Sequence, residues 1–169
     1  TYFSPLYSNE LPKADLIYLP GGYPELFARQ LHRRRKMMDA IKEYAEKGGK
    51  ILAEGGGMVL LGNTLKSREN GSAYPMGQVL PIDFSMVSTP KPSSGYRKSH
   101  GLPNELKGYE YHYLSMQQDN KPHTICEVTN LKGNDVLTPL FRYKNVIAGY
   151  THWYWGERNI LELWNEPYQ

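Results

Sequence analysis

The chain has 169 residues, a length that suits one domain with a substantial core, and its 40% hydrophobic and 22% charged residues are typical of a soluble globular protein. A formal net charge of +3 is too small to indicate a nucleic-acid partner, and no apolar run approaches the roughly 20 residues that cross a bilayer, so no membrane partner is expected. The single cysteine, Cys126, excludes an internal disulfide and fits a reducing compartment such as the cytoplasm.

The first half of the chain predicts alternating strands and helices. Thr1–Leu6 predicts a short strand and a turn, and the compact apolar run Asp15–Leu19 predicts a buried strand. Apolar residues at helical spacing predict a helix from Pro24 to Lys47. A second strand is predicted at Lys50–Ala53, and after three glycines a short helix ends at Leu61. This alternation is typical of a parallel sheet with helices on both faces.

The second half predicts antiparallel strands. Asn63–Asn104 is rich in Pro, Gly, Ser and Lys, which favours short strands and loops. Asn159–Asn165 predicts a closing helix with Ile160, Leu161 and Trp164 facing inward. Further strands are predicted at Gly108–Tyr113, Ile125–Val128, Leu137–Tyr143 and Val146–Tyr150, the last two joined by a turn at Lys144-Asn145. We therefore predict one α/β domain over residues 1–169, with a mostly parallel sheet, helices on both faces, and antiparallel strands in the second half.

The junction between the second strand and its helix has the form of a catalytic turn. Glu54 is followed by Gly55-Gly56-Gly57 and then by an apolar run that favours a helix. Many α/β hydrolytic enzymes place a nucleophile on such a strained turn, where the helix N-terminus stabilises negative charge. Gly55 stands at the apex and has no side chain to react. Two other interpretations stay open: a phosphate cradle, although no complete phosphate-binding motif is present, and a tight junction without function.

Two further features are predicted near that turn. Gly21-Gly22 follows the first strand, and parallel strands that end in glycine turns bring both turns to one edge of the sheet. Their backbone N–H groups could form an oxyanion hole, although a plain turn is the alternative. His152 follows a predicted strand and is a candidate general base, although a packed core histidine is the alternative.

Other reactive or charged residues have simpler interpretations. Glu110 and His112 alternate on one face of a strand and could bind a ligand or only each other. The basic run His32–Lys36 predicts the solvated side of a helix, with a polyanionic partner as the alternative. Cys126 lies in an apolar run with no glycine turn or helix start to lower its pKa, so we interpret it as a core thiol.

Five segments in order resemble the glutamine amidotransferase domain of the cobyrinic acid a,c-diamide synthase family, which includes related cobyric acid synthases. They are Leu19-Pro-Gly-Gly-Tyr-Pro-Glu25, Ala53-Glu-Gly-Gly-Gly57, Gly95-Tyr-Arg97, Gly108-Tyr-Glu-Tyr-His112 and Tyr150-Thr-His152. The second of them is similar to the family's Ala-Glu-Cys-Gly-Gly nucleophile turn. The first segment favours the a,c-diamide synthases over the cobyric acid synthases.

The resemblance implies a class I glutamine amidotransferase-like (flavodoxin-like) fold and a set of roles. A cysteine would attack the side-chain amide of glutamine and release ammonia, with His152 as its catalytic partner. Gly55 takes the position of that cysteine, so the chain is expected to be inactive. One sequence does not separate an engineered change from natural decay. The implied substrate-binding residues are Gly21, Gly22, Gly56, Tyr109, Glu110 and His112, with Tyr109 replacing a histidine of the family.

The resemblance also implies partners outside this chain. The ammonia would serve ATP-dependent amidation of the corrinoid a and c carboxylates in cobalamin biosynthesis, with ATP and magnesium bound by a separate N-terminal domain. No cofactor or metal is expected in this domain itself, whose direct partner is glutamine. We expect a C-terminal fragment without its first strand and helix, for which a longer chain or a homo-oligomer would satisfy unpaired backbone groups. The alternative is a non-catalytic glutamine-binding or scaffolding module.

Overall fold

Two sheets and a small number of helices build the domain. The computed structural model describes residues 1–67, 69–86, 92–102, 104–118, 122–156 and 158–165. The strands are β1 Leu16–Leu19, β2 Lys50–Glu54, β3 Thr64–Lys66, β4 Ala73–Pro75, β5 Asp83–Met86, β6 Ser93–His100, β7 Lys107–His112, β8 Leu114–Gln117, β9 His123–Asn130, β10 Asp135–Tyr143, β11 Val146–Gly149 and β12 His152–Trp153. The helices are α1 Ala28–Arg33, α2 Arg35–Glu46 and α3 Gly56–Leu60, with 3-10 helices at Pro24–Leu26 and Ile160–Trp164.

The large sheet has eight strands in the order β1-β2-β11-β10-β9-β6-β7-β12. β1 pairs with β2, and β2 with β11, in parallel, whereas the other neighbours in this sheet pair antiparallel. The sheet is therefore mixed, and the mostly parallel arrangement that we predicted is corrected in this respect. Parallel neighbours need long crossover connections, and only the first half of the chain supplies helices for them. The smaller sheet, in the order β4-β3-β5-β8, is built from the segment predicted to form short strands.

The main core lies between the helices and one face of the parallel strands. Ile51 and Ala53 of β2 pack in one cluster with Met38 and Ile41 of α2 and with Met58 of α3. Leu52, between Ile51 and Ala53 in β2, belongs to a second cluster, because successive side chains of a strand point to opposite faces. Burial on both faces explains why β2 reads as a continuous apolar run.

The opposite face of the sheet is covered by the closing 3-10 helix. Ile160, Leu163 and Trp164 pack against the cluster that contains Leu52. Leu161, which we predicted to face inward, is 49% exposed. The α-helical spacing used for that prediction was wrong, because in a 3-10 helix residues three apart share a face, which aligns Ile160 with Leu163.

The long helix predicted from Pro24 to Lys47 is divided into a 3-10 turn, α1 and α2. The two α-helices are separated by Arg34, whose φ of −84° and ψ of 44° leave the helical region. The apolar face predicted for this helix consists of Met37, Ile41, Tyr44 and Ala45, of which Tyr44 is only partly buried and the other three are buried as expected. At the start of the chain, Thr1–Leu6 forms no strand, and the backbone turns where Tyr7 N–H donates to the Ser4 carbonyl.

Part of the basic run His32–Lys36 is structural. The Arg34 guanidinium donates to the Ser8 carbonyl, and Arg35 Nη2 donates to the Met76 carbonyl over 3.0 Å. The interpretation of this run as simply the solvated side of a helix is therefore wrong for these two arginines. They tie the α1–α2 junction to the N-terminal segment and to the loop after β4. Within the described ranges, no helix combines the length and apolarity needed to cross a membrane.

Candidate active site

Three segments that are distant in sequence meet at one edge of the large sheet. In the parallel ladders Leu19 lies beside Ala53, and Glu54 lies beside Gly149. The residues that follow these strand ends therefore come together. They are Gly21 and Gly22 after β1, Gly55 to Gly57 after β2, and Tyr150 to His152 after β11. The two glycine turns and the histidine that we predicted as site residues thus share one edge.

Gly55 has the backbone conformation of a strained turn. Its φ is 54° and its ψ is −121°, a region that L side chains rarely adopt. Its N–H donates to the Gly149 carbonyl over 2.9 Å. A Cβ atom built on Gly55 would lie 2.5 Å from Nε2 of His152 and 2.7 Å from its Cε1. The imidazole therefore lies directly over the apex of the turn, where a side chain at position 55 would begin.

The two glycines after Gly55 allow a close approach between backbones. A Cβ atom on Gly56 would lie 2.3 Å from the Gly22 carbonyl oxygen, and one on Gly57 would lie 2.2 Å from that of Leu19. Neither position can hold a larger residue without separating the two turns. These distances fit the tight-junction interpretation, and they are equally compatible with a catalytic turn. Within the described ranges, the N–H groups of Gly22 and Gly56 donate to no other group.

Glu54, for which the sequence predicted no role, faces His152 from a buried position. Its side chain is only 1% exposed, and its Oε2 lies 3.8 Å from Nδ1 of His152. Oε2 also accepts from the Tyr18 hydroxyl over 2.8 Å, and Oε1 accepts from the Trp155 indole N–H over 2.8 Å and the Trp153 N–H over 3.3 Å. Burial, together with the adjacent Glu54 carboxylate, raises the pKa of Tyr18. The signal in the sequence was an acid at the end of an otherwise apolar buried strand.

A cavity of about 300 Å³ opens beside His152 and the glycine turns. Its walls include Gly22, Glu25, Gly56, His112, Tyr150 and His152. The His112 ring stacks on the Tyr150 ring, with 3.6 Å between the ring centroids and 2° between the planes. Burial raises the pKa of the Glu25 carboxyl. The volume is at the lower end of the range for small-molecule sites.

Glu110 lies beneath the cavity at the centre of a hydrogen-bond network. It is fully buried and forms an ion pair with Arg97, with 3.2 Å between Oε2 and Nε. Thr138 donates to Oε2 over 2.7 Å, and His112 Nε2 lies 3.0 Å from Oε1. Burial opposes ionisation, but hydrogen bonds from His112, Thr138 and Arg97 outweigh it and lower the pKa of Glu110 to about 2. Glu110 and His112 thus contact each other, and only His112 lines the cavity.

The other two predicted binding residues lie close to His152 but outside this cavity. A Cβ atom on Gly21 would lie 2.8 Å from His152 Cε1, and Gly21 lines a wide groove beside β1. Tyr109 pairs with His152 in the β7–β12 ladder and packs edge-on against Tyr96, with ring centroids 5.3 Å apart. Tyr109 lines a second groove with two lysines, Lys98 and Lys107. His152 lines both that groove and the cavity.

Cys126 is a core thiol, as its apolar context predicted. It is 3% exposed and packs in the cluster that contains Leu52 and Val128. Burial raises the pKa of the thiol to about 12. Cys126 does not line the cavity. Among the residues with described positions, no group of three or more His, Cys, Asp or Glu side chains could hold a metal ion.

Comparisons with known proteins agree on one family. The model of the CobB/CobQ-like glutamine amidotransferase domain matches residues 1–160. A hydrogenobyrinate a,c-diamide synthase from Brucella anthropi is 35% identical over 159 residues, which cover 90% of this chain and 36% of the relative. A cobyrinate a,c-diamide synthase from Fusobacterium nucleatum is 32% identical over 169 residues, covering 95% of this chain and 37% of the relative. The chain thus spans little more than a third of the length of these curated relatives.

Solved structures confirm the predicted fold class. A crystal structure of a glutamine amidotransferase aligns with a TM-score of 0.56 at 16% identity, over 90% of this chain and 74% of that one. A glutamine amidotransferase from Thermotoga maritima aligns with a TM-score of 0.52 at 16% identity, over 85% of this chain and 59% of that one. At such identities the likeness concerns the fold alone.

Proposed function

This chain belongs to the CobB/CobQ-like glutamine amidotransferase domain family, and on that premise we propose that its cavity binds glutamine with the side-chain amide next to Gly55. The observation that carries the proposal is the distance of 2.5 Å between a Cβ atom built on Gly55 and Nε2 of His152. This distance is too short for a real Cβ contact, so the His152 ring would shift and would then lie against a nucleophilic side chain at position 55. The free N–H groups of Gly22 and Gly56 are suited to stabilise the oxyanion of a tetrahedral intermediate.

Each residue then has a chemical task. A cysteine at position 55 would attack the amide carbon, His152 would give a proton to the leaving ammonia, and water would cleave the resulting thioester to glutamate. Glu54 would act as a positioning residue, because its carboxylate faces the ring nitrogen of His152 that points away from position 55. With Gly55 the covalent step has no nucleophile, so we propose that this chain binds glutamine and hydrolyses almost none.

The task of the longer protein follows from its relatives. The curated relatives are named as hydrogenobyrinate and cobyrinate a,c-diamide synthases. We propose that the protein containing this domain amidates the a and c carboxylates of a corrinoid in cobalamin biosynthesis. ATP and magnesium would act in a separate domain of that protein. These names favour the a,c-diamide synthase interpretation over the cobyric acid synthase one.

The test is glutamate release from glutamine by the unmodified chain, by Gly55→Cys and by Gly55→Ala. We expect activity only in Gly55→Cys and expect it to disappear in the double variant Gly55→Cys/His152→Ala. Gly55→Ala is the matched control, because it adds the same Cβ atom and the same backbone strain without a thiol. Activity in the unmodified chain would contradict the proposed silencing by Gly55.

A second candidate function is a non-catalytic glutamine-binding module. It is favoured by one observation, namely that Gly55 offers no nucleophile, whereas the intact His152 and glycine turns favour a recently active or engineered site. Calorimetric titration of the unmodified chain with glutamine separates the candidates. Binding by the unmodified chain, with Gly55→Cys folded but inactive, would favour the binding module. If the chain binds no glutamine and Gly55→Cys is inactive, a scaffolding role is favoured and the glutamine proposal fails.

A further inference from the structure

Glu25 is an acidic residue in the wall of the cavity beside the glycine turns. It belongs to the 3-10 helix Pro24–Leu26, and a Cβ atom on Gly56 would lie 2.7 Å from the ring of the preceding Pro24. The helix is therefore held against the turn that carries Gly55. Glu25 shares the cavity wall with Gly22, Gly56 and His152.

Within the described ranges, the Glu25 carboxylate has no ion pair and no hydrogen bond to another residue. The carboxylate accepts a hydrogen bond from the backbone N–H of Glu25 itself. The side chain is half-buried, and burial raises its pKa. Withdrawing a carboxylate from water in this way destabilises the protein unless a cation or hydrogen-bond donors compensate for the lost hydration.

The ring nitrogens of His112, which also lines the cavity, already have other partners. His112 attracts Glu25 electrostatically, but its Nδ1 lies 2.7 Å from the Leu114 carbonyl oxygen and its Nε2 lies 3.0 Å from Glu110. Both ring nitrogens therefore face other oxygen atoms. No lysine or arginine lines the cavity among the residues that the structure describes. The Glu25 carboxylate is thus free to accept hydrogen bonds from a cationic group of a ligand.

We propose that Glu25 binds the α-ammonium group of the amino acid whose side-chain amide lies next to Gly55. This inference rests on the proposed binding of glutamine. A site built to hydrogen-bond a charged group of its ligand discriminates strongly against an analogue without that group, because the site's own polar group is then left unpaired. Glu25 is therefore the residue that makes the cavity prefer a ligand with an α-amino group over the same ligand without it.

The test compares two ligands on two chains. L-glutamine and glutaramate, which is glutamine without its α-amino group, are titrated into the unmodified chain and into Glu25→Gln. Because Gly55 prevents turnover, equilibrium binding can be measured directly. We expect the unmodified chain to bind glutamine at least about tenfold more tightly than glutaramate, as a charge-assisted hydrogen bond predicts. Glu25→Gln should lose this preference by weakening glutamine binding alone.

Glu43→Gln is the matched control, since it removes a carboxylate that pairs with Lys47 on the exposed surface of α2. This variant should leave both affinities unchanged. Equal affinities of the unmodified chain for the two ligands would overturn the inference without any variant. The inference would also be overturned if Glu25→Gln binds glutamine as tightly as the unmodified chain does. An equal loss of affinity for glutamine and for glutaramate in Glu25→Gln would overturn it as well. If the unmodified chain binds glutamine in none of these measurements, the proposed function itself fails and the inference fails with it.

Discussion

The imidazole of His152 lies between Gly55 and Glu54, with Nε2 toward the apex of the turn and Nδ1 3.8 Å from the Glu54 carboxylate. The two neighbours in sequence thus approach the ring from different sides. The separation of 3.8 Å is that of an ion pair and exceeds a normal hydrogen bond. Glu54 is itself fixed by Tyr18, Trp153 and Trp155. The orientation of His152 therefore depends on a carboxylate that cannot move freely.

Replacing Glu54 should slow catalysis without weakening substrate binding. In the Gly55→Cys background, Glu54→Gln should lower kcat for glutamine hydrolysis by about 10- to 100-fold and change KM little, because the imidazole loses its orienting charge. Steady-state glutamate release measures both constants. Glu46→Gln removes an exposed carboxylate that pairs with Lys144 and should leave both unchanged. A matching rise in KM with constant kcat would show that Glu54 serves substrate binding instead.

Adding a side chain at position 55 should destabilise the fold. Gly55→Ala should lower the free energy of unfolding by about 1–3 kcal/mol, because a Cβ atom is strained at this φ and ψ and displaces the His152 ring. Urea denaturation of the purified chain measures the change. Gly133→Ala is the control, since its φ of 81° is also positive but a Cβ atom there meets nothing within 4 Å. If the two variants lose the same free energy of unfolding, the contact with His152 does not contribute to the destabilisation.

The Glu110 network should make stability depend on acid pH. The pKa of Glu110 is about 2 in the folded chain and 4.5 ordinarily, so its contribution to stability is complete above about pH 4.5 and is lost as the pH falls toward 2. The difference corresponds to about 3 kcal/mol. Denaturant unfolding of the unmodified chain between about pH 5 and pH 2 should show this loss, and Glu110→Gln should lack it.

The same variant should be less stable at neutral pH, because it leaves the buried Arg97 guanidinium without its counter-charge. Breaking a buried ion pair in this way costs about 3–5 kcal/mol. Glu105→Gln breaks the exposed pair with Lys98 and should cost less than about 1 kcal/mol. An acid-dependent loss in Glu110→Gln as large as in the unmodified chain would assign the effect to other carboxyl groups.

Thiol labelling should distinguish Cys126 from a cysteine at position 55. Burial raises the pKa of Cys126 to about 12, so the native chain should not react with a soluble aromatic disulfide reagent at neutral pH, whereas the unfolded chain should. Native Gly55→Cys should gain a single reactive thiol that faces His152 and the cavity. Spectrophotometric release of the reagent's thiolate counts the groups. Rapid labelling of the native unmodified chain would contradict the interpretation of Cys126 as a core thiol.

The meeting of the glycine turns with His152 could be predicted because it needs only local signals. Each segment is a buried strand that ends in glycine or in a histidine, and parallel strands bring their ends together. The role of Glu54 could not be predicted, since its partners Tyr18 and Trp155 come from opposite ends of the chain. These partners come together through long-range pairing, since β1 pairs with β2 and β2 with β11.

The parallel pairing of β11 with β2 and the break between α1 and α2 had no local signal. Neither glycine nor proline marks the junction of α1 and α2, and Arg34 leaves the helical region where it bonds to the Ser8 carbonyl. Likewise, β11 turns back at Lys144 to lie between β2 and β10, and the identity of its second neighbour is decided by long-range pairing. Hydrophobic pattern and secondary-structure propensity describe single segments, so they do not predict contacts that the tertiary structure determines.

The hydrogen bonds that hold Glu54 and the strand pairing that holds His152 need no side chain at position 55. The Gly55 backbone makes its hydrogen bonds to Gly149, Met58 and Val59 through groups that every residue except proline possesses. The codons for glycine and cysteine include pairs that differ by one base. The silencing that we propose for Gly55 could therefore be reversed by a single point mutation, because a cysteine codon would supply the thiol and the His152 ring would shift to make room for it.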